Sequence, residues 1–466
     1  MRSTAVDRSA PPLSGEVHPF RFPHFVRRRL PSGVSAYAAR VPGVPLASVE
    51  LLAAAGAQFD PAGREGLASL TAALLDEGAA GRNAMEIAGD IERLGGQLGT
   101  GADWDVGYVG TLLLSRHLHA GLRLFAEVAT APTFPQEEVE RLRRLRLAEL
   151  LRRRHQPAVV ADEQLAAAIY QGTVYAHPPH GTEASISSLG REEILAFYRR
   201  RYRLPAATLI AVSDLDPEEL LAAAGEGLAA SAGATAGEAT ADPPAIQPAR
   251  LPGLRLYVVD RPGAAQTELR LGHAAVPRAH PDFTTLAFLN TLLGGKFTSR
   301  INLNLRERHG YTYGATSRFA GRLGPGPFVV SAAVATDSTG AAAREVLSEL
   351  RRIQDEPVSA EEMEETRSYI LGVFPYTVQS RADVARRLAD LAVYGLPDDY
   401  FDRYLRAIAS LSRAALQEAA QRHLDPEHLA VVAVGPAEPL RRQLEPLGEV
   451  TVCSPEQPAP VAQVNG

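Results

Sequence analysis

The stretch Leu189–Ser213 reads LGREEILAFYRRRYRLPAATLIAVS, a helical pattern followed by a turn at Pro205 and an apolar run typical of a buried strand. The same order returns at Leu411–Gly435, LSRAALQEAAQRHLDPEHLAVVAVG, with the turn at Pro426 and an offset of 222 residues. Similarity at a fixed offset indicates a repeated structural unit. The chain is therefore expected to consist of two homologous halves.

Each half also contains similar elements before this unit. An apolar helix that closes on a glycine turn is predicted at Gly66–Gly78 and again at Thr284–Gly295, and strand-like runs open both halves. Longer helical patterns follow at Pro135–Arg154 and Ser359–Val373. This mixed order predicts an α+β fold, in which each half is a largely antiparallel sheet with helices packed on one face.

An Ala/Gly/Pro-rich stretch without periodicity lies near the midpoint, at Leu228–Gly253. Such a composition cannot bury an apolar face, so an exposed and mobile linker is predicted. The expected organisation is a flexible tail at residues 1–20, an N-terminal domain at 21–230, a linker at 231–253, a C-terminal domain at 254–455 and a second flexible tail at 456–466.

The composition is that of a globular protein, with 45% hydrophobic and 22% charged residues in 466. The net charge of −6 gives no electrostatic reason to expect nucleic acid as a partner. The single cysteine, Cys453, excludes an internal disulfide. The first residues do not form a signal peptide and no apolar run approaches about 18 residues, so a soluble, cytoplasmic protein is expected.

The Arg-dense run Arg141–His155 allows two interpretations. It could be a helix that binds polyanions, or the solvated face of an amphipathic helix. Lys296 is the only lysine among the 48 basic residues, so arginine is the general basic residue of this sequence. Because Leu142, Leu145 and Leu150 recur at helical spacing, the amphipathic helix is favoured.

The segment Gly294–Ser317 reads GGKFTSRINLNLRERHGYTYGATS. Its pattern consists of a glycine pair, Ser299 with Arg300, Leu305–Glu307, Gly310, and Tyr313 seven residues after Arg306. This pattern resembles the C-terminal-half signature of the zinc peptidases pitrilysin, insulin-degrading enzyme and mitochondrial processing peptidase. With the two-half layout, the resemblance covers about residues 21–455 and implies that the chain forms half of a clamshell.

The resemblance also implies roles for Arg306 and Tyr313, which in this family reach across the clamshell toward the zinc site of the other half. A phenol or guanidinium can stabilise the oxyanion of peptide hydrolysis, and arginine can also bind peptide carbonyls. Alone, Arg306 could simply cap a helix and Tyr313 could pack at a sheet rim, but the full signature favours the catalytic interpretation. Gly310 is expected to end the helix of Arg306 and to place Tyr313 on the next strand.

The catalytic motif of the family, His-x-x-Glu-His on a first-half helix, is missing. In the family its histidines bind zinc and its glutamate is the general base. Matching Gly66 to the glycine before the motif places Ser69 and Ala73 at the histidine positions and Ala72 at the glutamate position. None of these side chains can do the chemistry of the residue that it replaces.

Of the remaining acidic positions of the family site, only one is kept. Glu149, 76 residues after Ala73, stands at the third ligand position, whereas Leu142 replaces an accessory acidic residue. Other histidines lack the spacing or the carboxylate of a metal site; they are the pairs His117 and His119, His177 and His180, and His423 and His428. One carboxylate does not hold catalytic zinc, so Glu149 is interpreted as a solvated residue or a relic, and no cofactor is expected in this chain. No nucleophile-elbow or phosphate-loop motif is present.

Two functions are consistent with these features. In some bacterial pairs of this family one chain carries the zinc motif and the other carries the Arg/Tyr pair. This chain is then a non-catalytic subunit whose Arg306 and Tyr313 complete the peptide site of a similar-sized, zinc-bearing partner. The alternative is an inactive scaffold similar to the core subunits of respiratory complex III. A scaffold has no chemical need for both side chains, so the first function is favoured.

Overall fold

The computed structural model describes residues 20–231 and 244–454. The first half of the chain forms a six-stranded sheet, a short hairpin and eight helices. Its strands are β1 (Phe25–Arg29), β2 (Ser35–Arg40), β3 (Leu46–Ala53), β4 (Gly78–Ala79), β5 (Arg82–Asn83), β6 (Gln97–Ala102), β7 (Gly107–Leu114) and β8 (Thr208–Ser213). Its helices are α1 (Leu67–Ala73), α2 (Ala84–Arg93), α3 (Leu118–Thr130), α4 (Gln136–Arg154), α5 (Pro157–Ile169), α6 (Glu183–Ser188), α7 (Arg191–Arg201) and α8 (Pro217–Ser231).

The second half forms another six-stranded sheet. Its strands are β9 (Arg255–Asp260), β10 (Gln266–Ala274), β11 (Thr312–Phe319), β12 (Pro327–Ala335), β13 (Ala430–Gly435) and β14 (Val450–Cys453). Its helices are α9 (Phe283–Asn290), α10 (Arg300–Asn302), α11 (Thr339–Asp355), α12 (Ala360–Val373), α13 (Arg381–Val393), α14 (Tyr400–Ser410), α15 (Arg413–His423) and α16 (Ala437–Leu444). Two π-helical segments, Thr291–Gly295 and Leu303–Arg308, interrupt the helices after α9 and α10.

The two sheets have equivalent strand orders, β1-β2-β8-β3-β7-β6 and β14-β9-β13-β10-β12-β11. The helix and strand of the repeated unit, α7 with β8 and α15 with β13, match in length and lie 222 residues apart. Five strand positions therefore correspond. The sixth differs, because β1 is antiparallel to β2 whereas β14 is parallel to β9. The predicted α+β fold of two similar, largely antiparallel halves is confirmed.

Each sheet has helices on both faces. One face of each sheet is covered by helices of its own half, and the opposite face by a helix of the other half. On the first sheet, Tyr37, Leu52 and Ile210 pack against α13, where Leu388 is fully buried. On the second sheet, β10 and β13 pack against α5 of the first half. The prediction of helices on one face was thus incomplete. Because α5 of the first half covers the second sheet and α13 of the second half covers the first sheet, the two halves form one packed body.

Part of the predicted linker is also packed. Residues 232–243 lie outside the described residues, as do 1–19 and 455–466, which include nearly all of the two predicted tails. Helix α8 continues to Ser231, and Ile246 is only 7% exposed within the cluster that contains Tyr175 and Tyr257. The prediction of an exposed linker is therefore wrong at Ile246, because its apolar side chain is buried against both halves.

The turns after the two edge strands meet each other. Asp105, in the β6–β7 turn, accepts hydrogen bonds from the backbone N–H of Leu323, in the β11–β12 connection, at 3.2 Å to each carboxylate oxygen. The neighbouring guanidinium of Arg322 lies 4.4 Å from the ring of Trp104 and 4.5 Å from that of Tyr175. These contacts hold the ends of β6 and β11 beside one another.

Five of the seven arginines of α4 form ion pairs, so the predicted solvated arginine face is found only in part. Pairs include Arg141 with Glu77 at 2.6 Å, Arg153 with Glu163 at 3.1 Å and Arg154 with Glu183 at 3.1 Å. Leu150 is buried and Leu142 packs on the core, but Leu145 is exposed, so the apolar face is narrower than predicted. No helix in the described part of the chain is long and apolar enough to cross a bilayer.

Candidate functional site

The helix α1, which carries the degenerate motif, begins after Gly66. The φ of Gly66 is 88°, and a Cβ there would lie 2.7 Å from the carbonyl oxygen of His180, so a side chain is excluded. The buried carboxylate of Asp60 accepts hydrogen bonds from the backbone N–H groups of Gly66 and Ala68, both at 2.7 Å. These contacts fix the first turn of α1 against the loop that contains His180.

An arginine fills the space beside Ser69. Arg146 of α4 donates hydrogen bonds to Ser69 Oγ at 2.8 Å and to His180 Nδ1 at 3.1 Å. Its Nε lies 3.3 Å from Oε2 of Glu149, almost one turn further along α4. Ser69 and Glu149, which sequence analysis assigned to two ligand positions of one site, therefore meet at a single guanidinium that is 11% exposed.

The electrostatics of this cluster fit a neutral histidine beside a charged arginine. Burial, and then the positive charges of Arg146 and Arg153, lower the pKa of His180. The neutral imidazole can accept the hydrogen bond from Arg146 through Nδ1. Burial lowers the pKa of Arg146 while Glu149 opposes that shift, and the guanidinium stays protonated. The site thus contains a fixed positive charge.

Arg306 lies in the π-helical segment Leu303–Arg308. Its guanidinium lies 4.5 Å from the centroid of the exposed Phe297 ring, its Nε lies 3.2 Å from Oε1 of Glu307, and its side chain is 36% exposed. Gly310, with a φ of 67°, donates its N–H to the carbonyl of Arg306 at 3.1 Å and ends this segment. The predicted end of the helix at Gly310 is confirmed.

Tyr313 lies on β11, the edge strand of the second sheet, as predicted. A register shift between Thr312 and Ala315 interrupts the pairing of β11 with β12 at this residue. The side chain of Tyr313 is 91% exposed and makes no hydrogen bond to any residue that the structure describes. Its phenol is therefore free to contact another molecule, and the predicted catalytic roles of Arg306 and Tyr313 stay predictions.

Two family models match consecutive parts of the chain. Residues 38–183 match the Insulinase (Peptidase family M16) model, and residues 188–370 match the Peptidase M16 inactive domain model. The chain belongs to the M16 peptidase family. The resemblance to pitrilysin and insulinase is therefore confirmed.

Individual M16 relatives agree with this assignment. An uncharacterized zinc protease of Rickettsia bellii is 25% identical over 345 residues, which are 73% of this chain and 81% of that protein. The crystal structure of a peptidase M16 inactive domain from Pseudomonas fluorescens has a TM-score of 0.82 at 26% identity, over 89% of this chain and 98% of that chain. A protease from Helicobacter pylori shares the fold, with a TM-score of 0.83 at 19% identity over 89% of this chain and all of that one.

The residues at the M16 zinc position do not fit zinc. Ala72, which is fully buried, and Ala73 provide neither ligand nor base. A hydroxyl such as that of Ser69 is a poor ligand compared with the imidazole and carboxylate groups that zinc prefers. The remaining ligand, Glu149, faces Arg146, whose positive charge opposes the binding of a cation.

A different group of side chains has ligand-like spacing. In the part of the chain that the structure describes, only His280, Asp282 and His423 place three ligand atoms within 4.8 Å of one another. The Asp282 carboxylate already accepts hydrogen bonds from His423 at 2.7 Å and Arg422 at 2.8 Å, and its backbone N–H donates to His280 at 3.1 Å. Sequence analysis, which paired His423 with His428, missed this group. We interpret it as a structural clamp between α9 and α15.

The sequence indicated Glu149 as a residue of this site, but not Arg146 or His180. A signal existed for Arg146, because residues three apart on a helix share a face and Arg146 precedes Glu149 by three. No comparable signal existed for His180. Its position depends on the packing of its loop against Gly66, a contact between residues more than 100 positions apart.

Proposed function

We propose that this chain is the non-catalytic subunit of a heteromeric M16 metallopeptidase and supplies Arg306 and Tyr313 to the peptide site of a zinc-bearing partner. The observation that carries the proposal is the contrast between the two halves. The first half has a fixed guanidinium where a metal site would be, whereas the second half presents an exposed phenol that makes no hydrogen bond to a described residue.

The first half explains why a partner is needed. Peptide hydrolysis at neutral pH requires an activated water, which a zinc ion with a carboxylate base can supply. Ser69, Ala72 and Ala73 provide no such machinery, and Arg146 lies beside Ser69. The metal and the base would therefore come from a second chain of similar size with an intact His-x-x-Glu-His motif.

The second half has the groups that such a partner would use. The O–H of Tyr313 is a hydrogen-bond donor, and the Arg306 guanidinium is a charged donor held by the ring of Phe297. Donors fixed toward a developing oxyanion stabilise the transition state of acyl transfer. π-helical segments such as Leu303–Arg308 are rare and often lie at functional sites, which adds support for this role of Arg306.

Open sheet edges also suit peptide binding. Among the strands that the structure describes, β11, with Tyr313, pairs only with β12, and β6, which packs beside α1, pairs only with β7. The free backbone groups of an edge strand can pair with an extended peptide in the manner of an added strand. The ends of β6 and β11 lie close together, because Asp105 after β6 accepts a hydrogen bond from Leu323 after β11. The two edge strands can therefore line one cavity.

The test is peptide turnover by this chain mixed with a zinc-bearing M16 partner. Tyr313→Phe deletes one O–H and is expected to reduce turnover about a hundred- to a thousandfold, the loss typical of an oxyanion donor. Arg306→Ala is expected to raise KM if the guanidinium holds substrate equally in the ground and transition states. Pairing with the partner should be unchanged in both variants.

Tyr376→Phe is a matched control, because Tyr376 is 67% exposed in the same half and has no hydrogen bond to a described residue. It should leave turnover unchanged. Equal turnover for wild type, Tyr313→Phe and Arg306→Ala, with pairing intact, would instead support the scaffold function.

A further inference from the structure

A pocket lined by residues of the C-terminal half lies between α9, β11 and the helices α12, α13 and α14. Its volume is about 370 Å³, within the range of about 300–1,000 Å³ typical of small-ligand sites. Seven aromatic side chains, three arginines and a single acidic residue, Asp390, line it. The pocket is therefore apolar in its walls and basic in its charge.

One carboxylate, Asp390, faces two of the three arginines: burial raises its pKa, and the positive charges of Arg278 and Arg387 oppose that shift. Arg387 is paired with Asp390 at 3.6 Å. Arg278 donates a hydrogen bond to the hydroxyl of Tyr400 at 2.8 Å and lies 4.5 Å from the ring centroid of Phe283. Arg318 is exposed on β11, and within the described residues neither it nor Arg278 forms an ion pair with a carboxylate. The pocket has an excess of two positive charges.

This combination selects for a particular ligand chemistry. A guanidinium presents a planar fork of donors that matches a carboxylate, and aromatic walls favour an apolar body next to that charge. We propose that this pocket binds a carboxylate beside an aromatic or large apolar side chain, as found in the C-terminal residue of a peptide. The proposal deepens the peptide-binding function proposed above and rests on it.

The pocket and Tyr313 share one strand. Arg318 follows Tyr313 by five residues on β11, a separation of about 16 Å at the usual rise of about 3.3 Å per residue. An extended peptide with its C-terminal residue at Arg318 would therefore place about its sixth residue, counted from the C-terminus, beside Tyr313. The pocket would thereby set the distance between the C-terminus of the substrate and the residue beside Tyr313.

The test uses the purified chain alone and three small probes: N-acetylphenylalanine, its amide, and the dipeptide amide Ac-Phe-Glu-NH2. Calorimetric or NMR titration should show binding of the free acid and no detectable binding of Ac-Phe-NH2. Binding of Ac-Phe-Glu-NH2 as tight as that of the free acid would overturn the C-terminal assignment, because this probe has only a side-chain carboxylate.

Arg318→Gln should weaken binding of N-acetylphenylalanine about tenfold, the lower end of the effect of a charge-assisted hydrogen bond. Arg318→Lys should weaken it less, because a charge without the fork remains. Arg344→Gln is the matched control, since Arg344 is an exposed arginine of the same half that does not line the pocket. Both Arg318 variants change an exposed side chain, and circular dichroism should confirm that they fold.

Equal affinity of wild type and Arg318→Gln for N-acetylphenylalanine, or no binding to wild type, would overturn the proposal. These titrations need no zinc-bearing partner. Binding at Arg318 with no effect of Tyr313→Phe on turnover would leave the pocket standing while the catalytic role fails. Loss of turnover in Tyr313→Phe with no binding of the probe would give the opposite result.

Discussion

Arg146 should block zinc even after the M16 motif is rebuilt. The triple variant Ser69→His, Ala72→Glu, Ala73→His restores two ligands and the base beside the surviving Glu149. In the structure, however, Arg146 lies 2.8 Å from Ser69 Oγ and 3.3 Å from Glu149. The triple variant is therefore expected to bind zinc poorly, and adding Arg146→Ala is expected to restore binding.

The size of the effect follows from Coulomb's law. A nitrogen at hydrogen-bond distance from the first ligand position would lie about 4 Å from a metal held there. Two unit charges at about 4 Å interact by about 4 kcal/mol at an effective dielectric constant of about 20, so a divalent ion and a guanidinium repel by about 8 kcal/mol. Since about 1.4 kcal/mol corresponds to tenfold in affinity, Arg146 would weaken zinc binding by five to six orders of magnitude, about 10⁵- to 10⁶-fold.

The assay is competition for zinc with a chromophoric chelator, supported by metal analysis of the purified variants. The triple variant with Arg144→Ala is the control, because Arg144 is an exposed arginine of the same helix. That control should bind zinc no better than the triple variant. Similar zinc affinity with and without Arg146, in variants that fold normally, would refute the electrostatic argument. The prediction that this chain binds no zinc would then rest on the missing motif alone.

Two further predictions concern stability. Leu388→Ala should lower the free energy of unfolding by about 2–5 kcal/mol, because this buried residue of α13 packs on the first sheet. Calorimetry should show a single unfolding transition. Separate melting of the two halves would contradict the packing of α13 against the first half. Burial raises the pKa of Asp60 to about 7 against two backbone hydrogen bonds, so the native state keeps a proton that the unfolded state loses above about pH 4. The thermal midpoint should thus fall as the pH rises from about 4 to about 7, and Asp60→Asn should make that fall smaller; an unchanged slope in thermal melts would count against the shifted pKa.

The sequence predicted the repeated unit well because its signal is local. The alternation of apolar residues, the turns at Pro205 and Pro426, and the β-branched runs that follow all act within about 25 residues. The same holds for Gly310, whose left-handed backbone ends the segment of Arg306 and starts the strand of Tyr313. Patterns of this kind predict elements and their order along the chain, and the repeat predicts that the two halves have similar folds.

The features that the sequence did not reveal depend on contacts between distant parts of the chain. Helix α5 covers the second sheet although it precedes the midpoint, and α13 covers the first sheet although it follows it. Ile246 is buried for the same reason, since the surface that covers it is built by both halves. An apolar helix face predicts burial, but it does not say which sheet will bury it.

The missing zinc motif does not by itself describe this site, because Arg146 contacts both Ser69 and Glu149 there. Without Arg146, the carboxylate of Glu149, whose side chain is 35% exposed, would have no cation beside it. A partly buried charge is more stable when an opposite charge offsets its lost hydration. Arg146 supplies that cation permanently, with a hydrogen bond to Ser69 and an ion pair to Glu149. We therefore predict that the first half is stable without zinc, and that the contribution of this chain to peptidase chemistry comes from Arg306 and Tyr313 in its second half.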